Sequence, residues 1–327
     1  MSDQQATPRP TSAALTEAAA VAGYAPSVHN TQPWRWRILP DAMELYAERS
    51  RQLSAADPEG HLMLVSCGAA LHHAVVALAA AGRAAEVRPL PDPDRPDLLA
   101  RVTAEAPAEV TAEAMRRMQA IRLRHTDRRP VSDTPVPEAA VQAIVAATTG
   151  LARLHLLTRD QVLELAAAAS AAAEAEQADP QMQEELAYWR DRALPPEVLP
   201  ERPAQTTVPV RDFGAPGTLP IGPGHDRAAR YAVLYGDDDE PRTWLLAGQA
   251  LSAAWLAATQ LGVSMVPLSS VIEVPGTRQA LRRALADLGY PYLVLRLGVA
   301  DPERRGPAHP PRLPVEQVID TSAVAAG

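Results

Sequence analysis

The chain has 327 residues and a formal net charge of −8 at pH 7, which argues against a nucleic-acid-binding protein. Hydrophobic residues make up 47% of the sequence but aromatic residues only 4%, so we expect a core built mainly from Ala, Leu and Val. All 31 basic residues are arginine and Cys67 is the single cysteine, which excludes a Schiff-base or P-loop lysine, an internal disulfide and a CxxC metal site.

The first third of the sequence predicts a helix, a loop, a hairpin and a second helix. Residues 1–10 are polar, contain two prolines and are expected to form a disordered tail, and no apolar stretch reaches membrane-span length. We therefore expect a cytoplasmic protein without a membrane partner. The predicted elements are a helix over 11–23, hairpin strands over 36–39 and 43–46, a buried helix over 66–82 and a strand within 83–107.

The remaining sequence alternates helices and strands around one irregular segment. We predict helices over 109–123, 137–148, 159–193 (interrupted near 179) and 244–262, and strands over 154–157, 230–235 and 292–299. Residues 194–225 carry eight prolines and little periodicity. This segment is too long for an ordinary connection, so it is either a lid or a surface loop.

Residues 25–36 form the most informative segment, because its residue types suit neither a solvated linker nor a core strand. Pro26 and Pro33 fix the backbone at two points and prevent a helix between them. Asn30 and Gln32 each offer a donor beside an acceptor, which suits the pyrimidine edge of a flavin or a nucleobase. Two tryptophans in the same segment offer flat apolar cover.

A second informative segment is the arginine-rich stretch Arg-Leu-Arg-His-Thr-Asp-Arg-Arg-Pro over residues 122–130. Guanidinium groups bind phosphate in bidentate fashion, and Thr126 adds a hydroxyl donor, so this segment predicts an anion site. The alternative is a solvated basic turn, which charge runs usually are. Arg312 near the C-terminus is weak evidence when taken alone.

The two predicted buried helices share a pattern at a constant offset of 180 residues. Gly68, Ala70, Leu71, Ala74 and the terminating Gly82 recur 180 positions later, each in a helix–Gly–strand unit. An internal duplication of the chain would leave such a repeated residue pattern. Composition alone could also produce it in two alanine-rich helices.

Together, the loop, the arginine segment and Arg312 resemble the nitroreductase superfamily of FMN-binding oxidoreductases. The family's Pro-Ser-x-x-Asn-x-Gln-Pro-Trp loop is matched by residues 26–34, and its Arg-x-Ser/Thr-x-Arg/Lys segment by residues 124–128. The order is reversed, because family members carry the arginine segment first. The pattern resembles the Acg-like subfamily, in which a duplicated chain mimics the usual two-fold dimer and keeps one composite FMN site.

The resemblance implies an α+β nitroreductase-like fold, internally duplicated, with a first half over 11–115 and a second half over 116–327 that carries a lid-like insertion at about 194–225. It implies FMN as the cofactor, NAD(P)H as the reductant and a small-molecule acceptor, such as a nitroaromatic or a quinone, in a pseudo-dimeric monomer. The flavin itself would carry the chemistry, and a closed lid would instead make the chain an FMN store. The residues that the resemblance assigns to the cofactor are Pro26, Ser27, Asn30, Gln32, Pro33, Trp34, Arg35, Trp36, Arg124, His125, Thr126, Arg128 and Arg312.

Overall fold

A computed structural model describes residues 11–222, 225–301 and 306–325. The tail predicted over residues 1–10 lies outside this range. The described chain is a mixed α+β structure in which two sheets and several amphipathic helices surround a pair of long central helices.

The predicted helices and strands are present in the predicted order, and the described chain also has helices over 270–273, 275–284, 315–318 and 322–325 and strands over 98–107 and 319–320 that were not predicted. The helices are α1 Thr11–Ala22, α2 His61–Ala80, α3 Ala112–Leu123, α4 Glu138–Ala146, α5 Arg159–Ala178, α6 Pro180–Ala193, α7 Pro241–Gln260, α8 Ser270–Glu273, α9 Pro275–Ala284, α10 Val315–Val318 and α11 Ser322–Ala325. The strands are β1 Trp34–Ile38, β2 Ala42–Ala47, β3 Arg83–Pro89, β4 Leu98–Pro107, β5 Arg153–Leu156, β6 Arg230–Gly236, β7 Val263–Leu268, β8 Tyr290–Val299 and β9 Ile319–Asp320.

The strands form two separate sheets. The first has the order β3-β4-β2-β1-β9 and the second has the order β5-β6-β8-β7. Within the first sheet, β9 pairs in parallel with β1, with Trp36 opposite Ile319, whereas the other pairings are antiparallel. The last described strand therefore returns from the end of the chain to the sheet that residues near the beginning form.

The central helices α2 and α7 approach each other closely at a pair of glycines 180 positions apart. A Cβ atom on Gly68 would lie 2.0 Å from the carbonyl oxygen of Leu245, and one on Gly248 would lie 2.0 Å from that of Val65. These contacts are reciprocal, since each glycine meets the carbonyl three residues before the other. One turn further along the helices, His72 Nδ1 lies 2.8 Å from Ser252 Oγ, again at the same offset.

Both central helices end in the same manner. Gly82 and Gly262 follow α2 and α7 with φ of +70° and +68°, a conformation that glycine adopts without a steric cost, and a strand begins directly afterwards. Helix α2 is long and apolar enough to cross a membrane, but 83% of its most apolar stretch is buried inside the protein. Its length and composition therefore reflect its central position in the core.

Candidate functional site

One cavity lies where the Pro-Ser loop, the arginine segment, the central helices and the C-terminal segment meet. Its empty volume is about 1260 Å³, a figure that includes open solvent at its mouth. Apolar side chains from α2, α7 and β8 form much of its wall. The predicted site residues that line it are Pro26, Ser27, Asn30, Arg124, His125, Thr126, Arg128 and Arg312.

Three arginines give this cavity its chemical character. Arg124 is buried, and Arg128 and Arg312 are half-buried, yet none of them forms an ion pair with a carboxylate of the described residues. The Nε atoms of Arg124 and Arg312 are buried without a hydrogen-bond partner. Enclosed charges are normally paired, so this arrangement leaves positive charge for an anionic ligand to neutralise.

Two of these guanidinium groups are held side by side by one carbonyl. Arg124 Nη2 and Arg312 Nη2 each lie 3.0 Å from the carbonyl oxygen of Tyr24, to which both donate. Tyr24 follows the C-terminal end of α1, which carries partial negative charge. Burial and the neighbouring Arg312 lower the pKa of Arg124 to about 9, and burial lowers that of Arg312 to about 10, so both remain cationic at pH 7.

The other arginines of the 122–130 segment point elsewhere. Arg129 donates to Asp127 in a bidentate ion pair, with Nη2 2.8 Å from Oδ2. Arg122 is exposed and lies over the ring of Tyr24. The segment contains four arginines, but only Arg124 and Arg128 face the cavity, so the prediction that all four form one anion site is wrong.

The Pro-Ser loop reaches the cavity through an unusual backbone. His29, Asn30 and Gln32 adopt φ of 47°, 57° and 50°, in the left-handed region that non-glycine residues rarely occupy. Two hydroxyls support this conformation, because Ser27 Oγ accepts from the Gln32 N–H and Ser66 Oγ accepts from the Val28 N–H. The loop is therefore an ordered structural element that presents specific side chains.

The two carboxamides have a different role from the predicted one. Asn30 Oδ1 accepts from Arg312 Nη1 at 2.8 Å, and Asn30 Nδ2 donates to the carbonyls of Ala193 and Pro311. Gln32 Oε1 accepts from the Leu313 N–H at 3.0 Å. These groups are thus engaged with the C-terminal segment, which they hold so that Arg312 reaches the cavity.

Five residues of the predicted site, Gln32 among them, do not line the cavity. Trp34 and Trp36 are fully buried on one face of β1, and Arg35 is exposed on the other face, as the alternation of a strand requires. Pro33 precedes this strand, and its carbonyl accepts a hydrogen bond from Cys67. The predicted flat cover by the two tryptophans is wrong, because both rings belong to the core under the first sheet.

Part of the proline-rich segment closes one side of the cavity. Arg211 and Phe213 both line it, and the guanidinium of Arg128 lies 5.0 Å from the centre of the Phe213 ring. Arg211 pairs with two acidic side chains, at 2.5 Å from Glu273 and 3.4 Å from Glu176. The segment is thus tied to α5 and α8 by enclosed ion pairs, unlike a loose surface loop.

His29 joins this ion-pair cluster. Its Nε2 accepts from Arg211 and lies 3.8 Å from Glu273 Oε1. Burial and the charge of Arg211 lower the pKa of His29, so its ring is neutral at pH 7. Burial alone would raise the pKa of Glu273, but Arg211 and His29 lower it to about 2, so this residue is a carboxylate.

Among the residues that sequence reasoning missed, one lines this cavity and two lie beside it. Trp255 lines it from α7, with Arg124 4.5 Å above the centre of its ring, and Glu176 and Glu273 anchor the covering segment. The tryptophan gave one usable signal, since Trp255 interrupts the alanine-rich repeat of residues 248–257. The two glutamates gave none, because their partner lies far away in the sequence.

The family model described as "Nitroreductase family" matches residues 121–298 of the chain. Two proteins of Mycobacterium tuberculosis strain H37Rv are similar over nearly their whole length. "Putative NAD(P)H nitroreductase Rv3131" is 35% identical over 90% of this chain and 88% of its own. "Putative NAD(P)H nitroreductase acg" is 32% identical over 94% of this chain and 96% of its own.

Solved structures overlap a smaller part of the chain. The FMN and NADPH-dependent nitroreductase NfnB from a Sphigopyxis strain is 17% identical, with a TM-score of 0.41, over 62% of this chain and 97% of its own. A nitroreductase from Desulfovibrio desulfuricans in complex with FMN is 18% identical, with a TM-score of 0.38, over 62% of this chain and 93% of its own.

Proposed function

Because the chain belongs to the nitroreductase family, we propose that it binds FMN in the arginine-lined cavity and reduces a small-molecule acceptor at the expense of NAD(P)H. The observation that carries this proposal is the trio of enclosed arginines without a carboxylate partner among the described residues. A phosphate group would supply the missing negative charge. The apolar remainder of the cavity suits a planar ring.

The residues present fit the two ends of FMN in different ways. Arg124 and Arg312 would hold the phosphate, and Thr126 and Arg128 would contact the ribityl chain and the adjoining ring edge. Pro26, Ser27 and His125 would border the cofactor, while Asn30 and Gln32 would act by holding Arg312 in place. Bound FMN would supply hydride-transfer chemistry, and the protein would bind and orient it and exclude water.

We further propose that the chain is an internal pseudo-dimer with one composite site. The reciprocal contacts of Gly68 and Gly248 support this, since a two-fold axis relates residue pairs in that manner. The 180-residue offset of the His72–Ser252 contact supports it as well. In this arrangement the half over 11–115 supplies the Pro-Ser loop, and the half over 116–327 supplies Arg124, Arg128 and Arg312.

A second candidate function is FMN storage without turnover. The ion pairs of Arg211 favour it, because they hold the segment that places Phe213 against the cavity. A mobile segment would instead gate an enzyme. The acceptor, a nitroaromatic or a quinone, and the cytoplasmic location both stay predictions.

The first experiment that tests the proposal is reconstitution of the purified protein with FMN. We expect a yellow protein with a flavin absorption band and tighter binding of FMN than of riboflavin, which lacks the phosphate. Failure to bind FMN at a saturating concentration would refute the proposal. Anaerobic mixing with NADPH then separates the two functions, because bleaching of the band indicates a reductase and a persistent oxidised band indicates a store.

A further inference from the structure

Arg124 differs from most buried arginines in what surrounds its charge. It is 3% exposed, donates to the Tyr24 carbonyl and forms no ion pair within the described residues. The guanidinium lies 4.5 Å from the centre of the Trp255 ring, and Trp255 is itself 2% exposed. The negative face of this ring is therefore a principal source of compensation for the buried charge.

An aromatic face compensates charge without using hydrogen-bond donors. A carboxylate beside Arg124 would occupy its N–H groups in bidentate fashion and would compete with an anionic ligand. The indole leaves Nε, which is buried without a partner, free to donate to such a ligand. The local structure thus keeps the guanidinium charged, oriented and available.

Packing of the central helices does not by itself require a tryptophan at this position. The reciprocal contacts of Gly68 and Gly248 match each position of α2 with the position of α7 that is 180 residues later. By this offset Trp255 in α7 matches Val75 in α2. Val75 is half-buried in α2. The large ring therefore occurs only on the side of the molecule where the arginines converge.

We propose that Trp255 is a positioning residue that holds Arg124 for the phosphate of the bound ligand; this inference rests on the proposed FMN site. Its loss should remove the preference for a phosphorylated flavin without removing the pocket for the ring. A merely structural role would weaken the binding of both flavins equally.

The test compares FMN and riboflavin titrations of the ligand-free wild-type chain, Trp255→Leu and Trp255→Phe. We expect Trp255→Leu to lower the preference for FMN over riboflavin roughly 10-fold, because a desolvated cation–π contact contributes about that much to holding Arg124. Trp255→Phe, which keeps an aromatic face, should retain most of the preference. The matched control is Trp244→Leu, since Trp244 is a fully buried residue of the same helix that does not line the cavity.

The outcomes separate this inference from the proposed function. If the wild-type chain prefers FMN and Trp255→Leu keeps that preference, or loses affinity for both flavins equally, the positioning role is refuted. If the wild-type chain binds neither flavin, the proposed function fails. Inorganic phosphate then tests the role of Trp255 independently of flavin binding. It should raise the melting temperature of the wild-type chain and of Trp255→Phe but not that of Trp255→Leu. An equal rise in all three proteins would overturn the inference.

Discussion

Replacing Arg312 with methionine should affect ligand binding and folding stability very differently. In the ligand-free protein the substitution removes two hydrogen bonds, to Asn30 Oδ1 at 2.8 Å and to the Tyr24 carbonyl at 3.0 Å. Leaving the Asn30 oxygen unpaired costs about 1–3 kcal/mol. The loss of an unpaired, half-buried charge next to Arg124 offsets this cost, so we expect the free energy of unfolding to change by less than about 1 kcal/mol.

In the proposed FMN complex the same substitution would remove a charge-assisted hydrogen bond to the phosphate. Such a bond contributes about 1.5–3 kcal/mol, which corresponds to a dissociation constant raised roughly 10-fold to 150-fold. Riboflavin binding should remain unchanged because riboflavin has no phosphate. Equilibrium titration of ligand-free protein with each flavin measures both quantities.

The matched control is Arg296→Met, because Arg296 is a buried arginine that does have a carboxylate partner. It is 1% exposed, and its guanidinium lies 2.8 Å from Asp226 Oδ2. Breaking this pair should cost about 3–5 kcal/mol in urea denaturation and leave the ratio of FMN to riboflavin affinity unchanged. If Arg312→Met destabilises the ligand-free protein as much as Arg296→Met, or weakens both flavins equally, Arg312 is a structural residue and the reasoning fails.

Three further predictions concern the central helices and the covering segment. Gly68→Ala should lower the free energy of unfolding by about 1–3 kcal/mol or more, since its Cβ would lie 2.0 Å from the Leu245 carbonyl oxygen. A free energy of unfolding in urea within about 0.5 kcal/mol of the wild-type value, roughly the scatter of neutral surface substitutions, would contradict this. Burial, with Arg117 nearby, lowers the pKa of His72 from 6.5 to about 4. As the pH drops from 6.5 to 4, the unfolded chain takes up a proton before the folded one does, so the free energy of unfolding falls by up to ~3 kcal/mol. His72→Gln should flatten this pH dependence, and an unchanged slope would refute the prediction. Arg211→Met should release the covering segment, because it removes the ion pairs with Glu176 and Glu273. Proteolysis near residue 211 and flavin dissociation should each become faster, on the order of 10-fold. Rates equal to those of the wild type would show that the ion pairs do not hold the segment closed.

Local sequence patterns predicted the helices and most strands well, but not the elements that depend on distant partners. Helix α5 shows what local chemistry can specify, because Thr158 and Gln161 form a capping box at its start. In contrast, β9 has only two residues and exists because Ile319 meets Trp36 in the first sheet. Helix α9 and the early start of α2 at His61 were also missed, the latter because Asp57 accepts from the first backbone N–H groups of that helix.

The candidate site was predictable where the motif residues themselves face the cavity. Arg124, Thr126, Arg128 and Arg312 all line it, and their contacts with the cofactor stay a prediction. The roles of the loop residues were not predictable in the same way, because an amide that suits a flavin edge also suits a backbone carbonyl of the same chain. The alternation of tryptophan and arginine in residues 34–37 is typical of a half-buried strand, and it predicts that both indoles lie on the buried face.

The position of residues 311–313 in the chain has a consequence for how the cavity is made. Asn30 and Gln32, about 280 positions earlier, hold this segment by hydrogen bonds. The segment contributes Arg312 to the wall of the cavity. During synthesis on the ribosome, the loop emerges about 280 residues before its partner segment. A small molecule that needs both pieces therefore cannot guide folding until residues 311–313 have also emerged.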